Sequence, residues 1–219
     1  MISILNPTKL TRQPFFNDLI QYLAAHDEVT LRQLKQEFSH VSHLERSIEA
    51  YVQTGYIKRK DKRYCNQFTL VTDTDHIQLD QQIFVDTDSS VYEELLSLTF
   101  QTELGNQTNE AVIVEQTGIS REELTLSNYF YKLRENLSLT EEQNRLYNLL
   151  GDLNPEYFLK HVTTFLLKFV RREYALQKRR NIFVDALELL GYLVQVEEGR
   201  YLLNMDLDSE ALVFSAKKD

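Results

Sequence analysis

The feature that most constrains the fold of this chain is a pair of strand-forming runs separated by a cluster of cations. Residues 55–71 read GYIKRKDKRYCNQFTLV. The aromatic and β-branched residues on both sides of the cluster predict a β-hairpin with a positively charged tip, here called the basic hairpin. Five of the six residues at this tip are cations, namely Lys58, Arg59, Lys60, Lys62 and Arg63. Since the whole chain has a formal net charge of −9, overall composition does not explain the cluster.

Three short helices are predicted in front of the basic hairpin. Apolar residues recur at helical spacing between residues 15 and 52. The expected boundary signals, in chain order, are Pro14 in a first turn, the capping boxes Thr30–Gln33 and Ser42–Glu45, and Gly55 as a left-handed cap. Three helices followed by a hairpin is the order of a winged helix-turn-helix domain, and residues 1–72 are predicted to form one.

The remainder of the chain is divided into a connector and a second region. Residues 73–90 are acidic and rich in turn-forming residues, with a short strand predicted at 83–85. Residues 91–219 are predicted to form a helical domain that ends in a β-hairpin. Its helices are expected near Ser90, after Thr140, after Asn154 and after Asn181. The expected fold class is mainly α with small β-hairpins (α+β).

An internal repeat of the basic hairpin is predicted near the C-terminus. The shared order is a glycine after a helix, a tyrosine, an aliphatic residue and later a second tyrosine. It is formed by Gly55, Tyr56, Ile57 and Tyr64 and again by Gly191, Tyr192, Leu193 and Tyr201. In the second copy the residues VQVEE replace the cationic tip, so a second winged-helix-like hairpin is predicted whose charge does not suit phosphate.

Residues 111–124 have the pattern of two short helices joined at Gly118, with Ser120 as the cap of the second helix. Two interpretations are open, a DNA-reading helix-turn-helix or an ordinary packing unit of two helices. The neighbourhood favours the packing unit, because residues 71–160 contain 5 Lys and Arg against 17 Asp and Glu. Such a negative surface would repel DNA.

A second group of cations follows in the C-terminal third. Its members are Lys168, Arg171, Arg172, Lys178, Arg179 and Arg180. On one continuous helix, several of them would share a face opposite the apolar stripe. The group is interpreted as a solvated helix face. The alternatives are a phosphate-binding track and a docking surface for the acidic middle segment.

The composition fits a cytoplasmic protein. Cys65 is the only cysteine, so an intramolecular disulfide and a multi-thiolate zinc site are both excluded. The first residues lack the charged and apolar regions of a signal peptide. No apolar run approaches the roughly 18 residues that a membrane span needs, and no membrane association is expected.

The sequence contains no recognisable catalytic constellation. The five histidines do not combine with carboxylates at metal-ligand spacing, and no glycine-rich phosphate loop is present. Cys65 falls in a predicted strand, where packing explains it better than nucleophilic chemistry. A protein that is not an enzyme, and that uses no cofactor or metal, is therefore expected.

Several stretches of the chain resemble an uncharacterised family of low-GC Gram-positive bacteria, catalogued as a domain of unknown function. They lie at residues 6–16, 55–64, 126–132 and 177–185. The resemblance implies a similarity over nearly the whole chain, with a winged-helix-like N-terminal region. It supplies no catalytic or ligand residues.

The function expected from the residues is DNA binding, in a regulatory role, with the five cations of the basic hairpin and Arg46 contacting double-stranded DNA. The third helix argues against sequence-specific reading, because Glu45 and Glu49 would face the negative groove. The alternative is an adaptor that docks a protein partner or a second copy through the winged helix and the acidic middle segment. A third explanation of the hairpin charges is protection of a strand edge from pairing.

Overall fold

The computed structural model describes residues 1–217 and is an α+β protein, as predicted. The chain forms two compact units, Met1–Leu98 and Thr99–Asp219. Among the described residues, no helix is both long enough and apolar enough to cross a membrane.

The first unit contains four helices and five strands. In chain order they are β1 (Ile2–Leu5), α1 (Pro14–Ala25), β2 (Val29–Thr30), α2 (Leu31–Glu37), α3 (Leu44–Gln53), β3 (Ile57–Lys60), β4 (Arg63–Asn66), β5 (Ile83–Asp86) and α4 (Ser90–Ser97). β2, β4 and β3 form one antiparallel sheet in that order, while β1 pairs with β5. The three helices and the hairpin therefore follow one another as predicted.

Local capping residues explain most of these boundaries. Pro14 opens α1, and Thr30 accepts a hydrogen bond from the backbone N–H of Gln33 at the start of α2, so both predictions are confirmed. The predicted capping box of Ser42 is wrong. α3 begins one residue later, after His43, which has a left-handed φ of 56° and makes no side-chain cap.

Aromatic side chains fix the basic hairpin to the helices. Phe16 and Tyr51 are fully buried and meet edge to face, with ring centroids 4.8 Å apart. The hydroxyl of Tyr51 donates to Oε1 of Gln13 at 2.9 Å. Ile57 and Tyr64 of the hairpin are buried in the same core. One face of the hairpin is therefore held against the helices, and the other faces solvent.

The boundary between the units lies after the segment that was predicted to be a connector. Residues 73–90 belong to the first unit, because β5 pairs antiparallel with β1 and aligns Phe84 with Ile4. The ring of Phe84 also stacks on Phe68, with centroids 3.9 Å apart. These contacts extend the first unit to Leu98 rather than to the predicted residue 72.

The second unit contains two sheets as well as helices, and is richer in strand than the predicted helical domain. Its elements are β6 (Thr99–Leu104), β7 (Val112–Gly118), α5 (Leu126–Arg134), α6 (Glu141–Leu150), α7 (Pro155–Leu166), a 3-10 helix (Leu167–Val170), β8 (Tyr174–Leu176), α8 (Ile182–Leu189), β9 (Leu193–Glu197), β10 (Arg200–Leu203), β11 (Met205–Asp208) and β12 (Val213–Ala216). The strand orders are β11-β12-β7-β6 and β8-β10-β9.

The predicted pair of helices at residues 111–124 is wrong. Residues Val112–Gly118 form β7, which pairs with β6 on one side and with β12 on the other. β-Branched side chains dominate this segment, and such side chains pack well in a central strand. Gly118 ends the strand, and Thr125 rather than Ser120 caps the next helix.

The second group of cations does not lie on one helix. α7 ends at Leu166, a 3-10 helix runs to Val170, and the chain then enters strand β8. Arg171 and Arg172 precede this strand, and Lys178 follows it. The predicted solvated helix face is therefore replaced by cations on both sides of a short strand.

The predicted repeat of the hairpin is confirmed. Gly55 and Gly191 both have left-handed φ angles, 83° and 73°, and each lies between a helix and a hairpin. Tyr64 lies in the returning strand β4, and Tyr201 lies in the returning strand β10.

Hydrogen bonds show that the two turns have the same geometry. The N–H of Tyr56 donates to the carbonyl of Tyr51 at 3.0 Å. The N–H of Tyr192 likewise donates to the carbonyl of Leu187 at 2.8 Å. Each hairpin also has a third strand beside its returning strand, giving the matching orders β2-β4-β3 and β8-β10-β9.

Candidate nucleic-acid interface

The cations of the basic hairpin lie on two faces, because successive side chains of a strand point to opposite sides. In the register of β3 and β4, Lys58 lies opposite Cys65, and Lys60 lies opposite Arg63. Because opposite residues share a face, these four side chains form the outer face of the basic hairpin. All four are exposed.

The tip of the basic hairpin is a two-residue turn with both residues in the left-handed region. Asp61 has a φ of 49° and Lys62 a φ of 64°, and they connect the paired residues Lys60 and Arg63. Positive φ at both positions is the geometry of a type I′ turn, whose second position usually holds glycine. A lysine at that position carries a conformational cost that a glycine would avoid.

Two ion pairs neutralise the acidic residues of α3. Arg59 Nη1 lies 2.9 Å from Oε2 of Glu49, and Lys35 Nζ lies 2.5 Å from Oε1 of Glu45. Arg59 is opposite Tyr64 in the hairpin, on the face turned toward the helices. Hydrogen bonding to Tyr64 and then the charge of Glu49 raise the pKa of Arg59 above its ordinary value. Arg59 is thus engaged within the protein.

The other predicted contact residues are available for binding. Lys58, Lys60, Lys62 and Arg46 form no ion pair with any residue between 1 and 217, and all four are exposed. Arg63 donates to the carbonyl of Glu28 at 3.1 Å and keeps its charge. Four cations of the hairpin therefore face solvent, while Arg46 stands on α3.

The sequence interpretation missed the partners of the helix carboxylates. Glu49 is four residues after Glu45, so the two carboxylates lie along one side of α3. The pairing of Glu49 with Arg59 depends on how the hairpin folds back onto that helix. No sequence spacing connects Glu49 with Arg59. Arg59 lies beside α3 because Tyr64, opposite it in the hairpin, is buried in the core.

The second unit contains a buried carboxylate, that of Glu115. Glu115 is fully buried, and its oxygens accept from the backbone N–H groups of Leu126 and Ser127, both at 2.8 Å. The hydroxyl of Tyr192 donates to the same carboxylate. Burial and then the charge of Glu115 raise the pKa of Tyr192 well above its ordinary value. These bonds anchor the start of α5 to β7, which is a structural role.

Between residues 1 and 217, no three side chains of His, Cys, Asp or Glu are grouped in a way that could hold a metal ion. Cys65 is an exposed free thiol on the outer face of the basic hairpin, so the packing role expected for it from the sequence is wrong.

These features define an α+β protein of two compact units, the first of which presents a basic hairpin beside a helix. Residues 2–98 match a family model described as Domain of unknown function (DUF1803). The match ends where the first compact unit ends, at residue 98. The resemblances at 126–132 and 177–185 lie outside the matched residues. No curated protein and no solved structure matches the chain significantly.

The left-handed tip generates a prediction about stability. Lys62→Gly should raise the free energy of unfolding by about 1 kcal/mol, because glycine adopts this φ without a Cβ clash. Urea unfolding followed by circular dichroism measures the change. Lys60→Gly is the matched control, since it removes an equal charge but places glycine inside a strand. It should lower the stability by about 1 kcal/mol. Equal effects of the two substitutions would contradict the turn assignment.

Proposed function

We propose that residues 1–72 fold as a winged helix that binds double-stranded DNA through its phosphates, in a regulatory role in the cytoplasm. The observation that carries this proposal is the set of cations that the basic hairpin of an acidic chain presents to solvent. Lys58, Lys60 and Arg63 share its outer face, and Lys62 stands at its tip. Lys62 carries a conformational cost at a turn position that suits glycine, and this cost favours a functional role for its charge.

Edge protection alone does not account for this arrangement. Charged side chains, especially lysines, protect a strand from pairing when it lies at the edge of a sheet. β4 is the central strand of its sheet, and yet Arg63 on that strand adds to the same positive face. A positive face that extends from the edge strand to the central strand suits a polyanion better than it suits edge protection.

The arrangement of α3 is compatible with an approach to DNA. Glu45 and Glu49 would repel a duplex if they were free, but each has a cation within 4 Å. Arg46 is the exposed cation of this helix. Because Arg59 links the hairpin to Glu49, the hairpin and the helix would meet a duplex together. Phosphate contacts of this kind give affinity without base information.

A protein-binding adaptor remains the second candidate, with a protein partner or a second copy as the ligand. Acidic residues occupy the face of α3 that a DNA-reading helix would fill with cations and amides. The pairs Lys35–Glu45 and Arg59–Glu49 also give that face a mixed charge, which suits a protein surface. The adaptor predicts that duplex DNA does not bind even at low salt.

The DNA proposal predicts a defined salt dependence. Four phosphate contacts would give a slope of log affinity against log salt of about −3.6, at about −0.9 per contact. Fluorescence anisotropy with a mixed-sequence 20-base-pair duplex, titrated at several salt concentrations, measures it. Replacing Lys58, Lys60, Lys62 and Arg63 with Ala should abolish most of the affinity for every sequence.

The matched control for that variant removes four exposed cations from outside the hairpin, at Lys9, Arg134, Arg145 and Lys160. It makes the same change in net charge and should retain the affinity and the slope of the parent. If the parent does not bind the duplex at low salt, DNA binding is the wrong function. If both variants bind equally well, the hairpin is the wrong site.

The ion pair of Arg59 generates a second prediction. Glu49→Gln should release Arg59 to a phosphate, so that affinity for the same duplex rises and the slope steepens from about −3.6 toward about −4.5. Glu37→Gln, at an exposed position of α2, makes an equal charge change and is the control. An equal rise for both variants would show that only net charge matters.

A further inference from the structure

The outer face of the second hairpin differs in chemistry from that of the basic hairpin. Counting from the buried residues Ile57 and Leu193, Val194 and Val196 occupy in β9 the places of Lys58 and Lys60 in β3. Counting from the buried tyrosines Tyr64 and Tyr201, Leu202 occupies the place of Cys65. The same scaffold therefore presents aliphatic side chains where the first unit presents cations.

These aliphatic residues continue across the sheet as an exposed apolar row. Tyr174, Leu202 and Val194 are aligned on three neighbouring strands, and their exposed fractions are 40%, 38% and 47%. Leu176, two residues further along β8 and on the same face as Tyr174, is 55% exposed. The solvent face of an antiparallel sheet is normally polar. A contiguous apolar row on such a face indicates an interaction surface.

Cations border this row at both ends of β8. Arg171 and Arg172 precede the strand, Lys178 and Arg179 follow it, and all four are exposed. None of the four forms an ion pair with a residue of the described range 1–217. The guanidinium of Arg200 lies over the ring of Tyr174, 4.0 Å from its centroid. The apolar row is thus bordered by four cations that form no ion pair within that range, although the exposed Glu173 lies among them and Arg200 is paired with Glu197.

The backbone of β8 is open on one side. β8 lies at the edge of its sheet, with β10 as its only neighbouring strand among the described residues. The N–H of Gln177 donates to the carbonyl of Gly199 at 2.8 Å, toward β10. Hydrogen-bonding groups alternate in direction along a strand, so Tyr174 and Leu176 direct theirs to the open edge. An extended segment could pair there.

The positive charge at the open edge of β8 limits which molecules can bind there. A second copy pairing through its own β8 would bring the same cations together, and like charges oppose that association. A nucleic acid would find aliphatic groups unsuited to phosphate, and the ring of Tyr174 is covered by Arg200. Acidic residues at the two ends of an extended peptide would meet the free arginines and lysine, while its apolar side chains cover the row.

We propose that the open edge of β8 and the apolar row beside it bind an extended segment of a partner protein, apolar in its centre and acidic at both ends. The segment adds as a strand next to β8. This function is separate from DNA binding by the first unit and does not depend on it.

The probe for this site is a fluorescein-labelled peptide, EEVTLTVEE, whose apolar residues alternate and whose termini are acidic. Fluorescence anisotropy with the full chain at low salt should show saturable binding. A peptide with its four glutamates replaced by lysines should bind at least tenfold more weakly, and so should one with its three apolar residues replaced by serine. Binding should also slow amide hydrogen exchange at Tyr174 and Leu176.

Protein variants locate the binding site. Leu176→Ser should weaken the acidic peptide about tenfold, because the leucine becomes covered on binding. Because Leu176 is exposed in the free protein, the substitution should not impair folding, and circular dichroism checks this. Replacing Arg171 and Arg172 with Ala should weaken the acidic peptide and should not weaken the lysine-substituted one. The four-alanine variant of the basic hairpin is the control. It should bind the peptide like the parent, so failure here and failure of the DNA proposal are distinguishable.

Three results would overturn the proposal. The first is equal binding of the acidic and the lysine peptides. The second is tighter binding of a single-stranded oligothymidine than of the peptide, together with the loss of that binding in Leu176→Ser. This result would make the surface a nucleic-acid site. The third is a concentration-dependent dimer in sedimentation that Leu176→Ser abolishes while the peptide does not bind.

Discussion

Both hairpins depend on a left-handed glycine at the end of the helix that precedes them. At Gly55 and at Gly191 the positive φ turns the chain back immediately. The next residue, a tyrosine in each case, then donates its N–H to a carbonyl in the last turn of the helix. This geometry fixes the distance between helix and hairpin, so that Tyr64 and Tyr201 reach the core. A residue with a Cβ at either glycine would strain the turn.

Successive side chains of a strand point to opposite faces. Once the inner face of a hairpin is packed against the helices, the residues of its outer face can therefore change with little effect on the stability of the fold. The same three-stranded order carries cations on β3 and β4 and aliphatic side chains on β9 and β10. Exposed side chains contribute little to the stability of the core, so their chemistry can suit a ligand without destabilising the fold. We propose a polyanion as the ligand of the first outer face and an acidic segment with apolar residues as the ligand of the second.

Features that depend on local chemistry were predictable from the sequence. Pro14, the capping box at Thr30 and the two glycine turns are each recognised by residues within one helical turn. Features that depend on distant pairing were not predictable. β7 resembles a helix in isolation and becomes a strand because β6 and β12 flank it. At the candidate site, the cations were identifiable but the Arg59–Glu49 pair was not, because it requires the folded hairpin.

The central claim is that the outer face of the basic hairpin contacts the DNA backbone. Cys65 is the only cysteine of the chain, and it lies on this face opposite Lys58. The rate at which a neutral maleimide modifies this thiol, with and without a saturating mixed-sequence duplex, measures whether the face becomes covered. The account predicts that the duplex slows modification at low salt and that the protection disappears as salt is raised. An unchanged rate while anisotropy shows the duplex to be bound would contradict it.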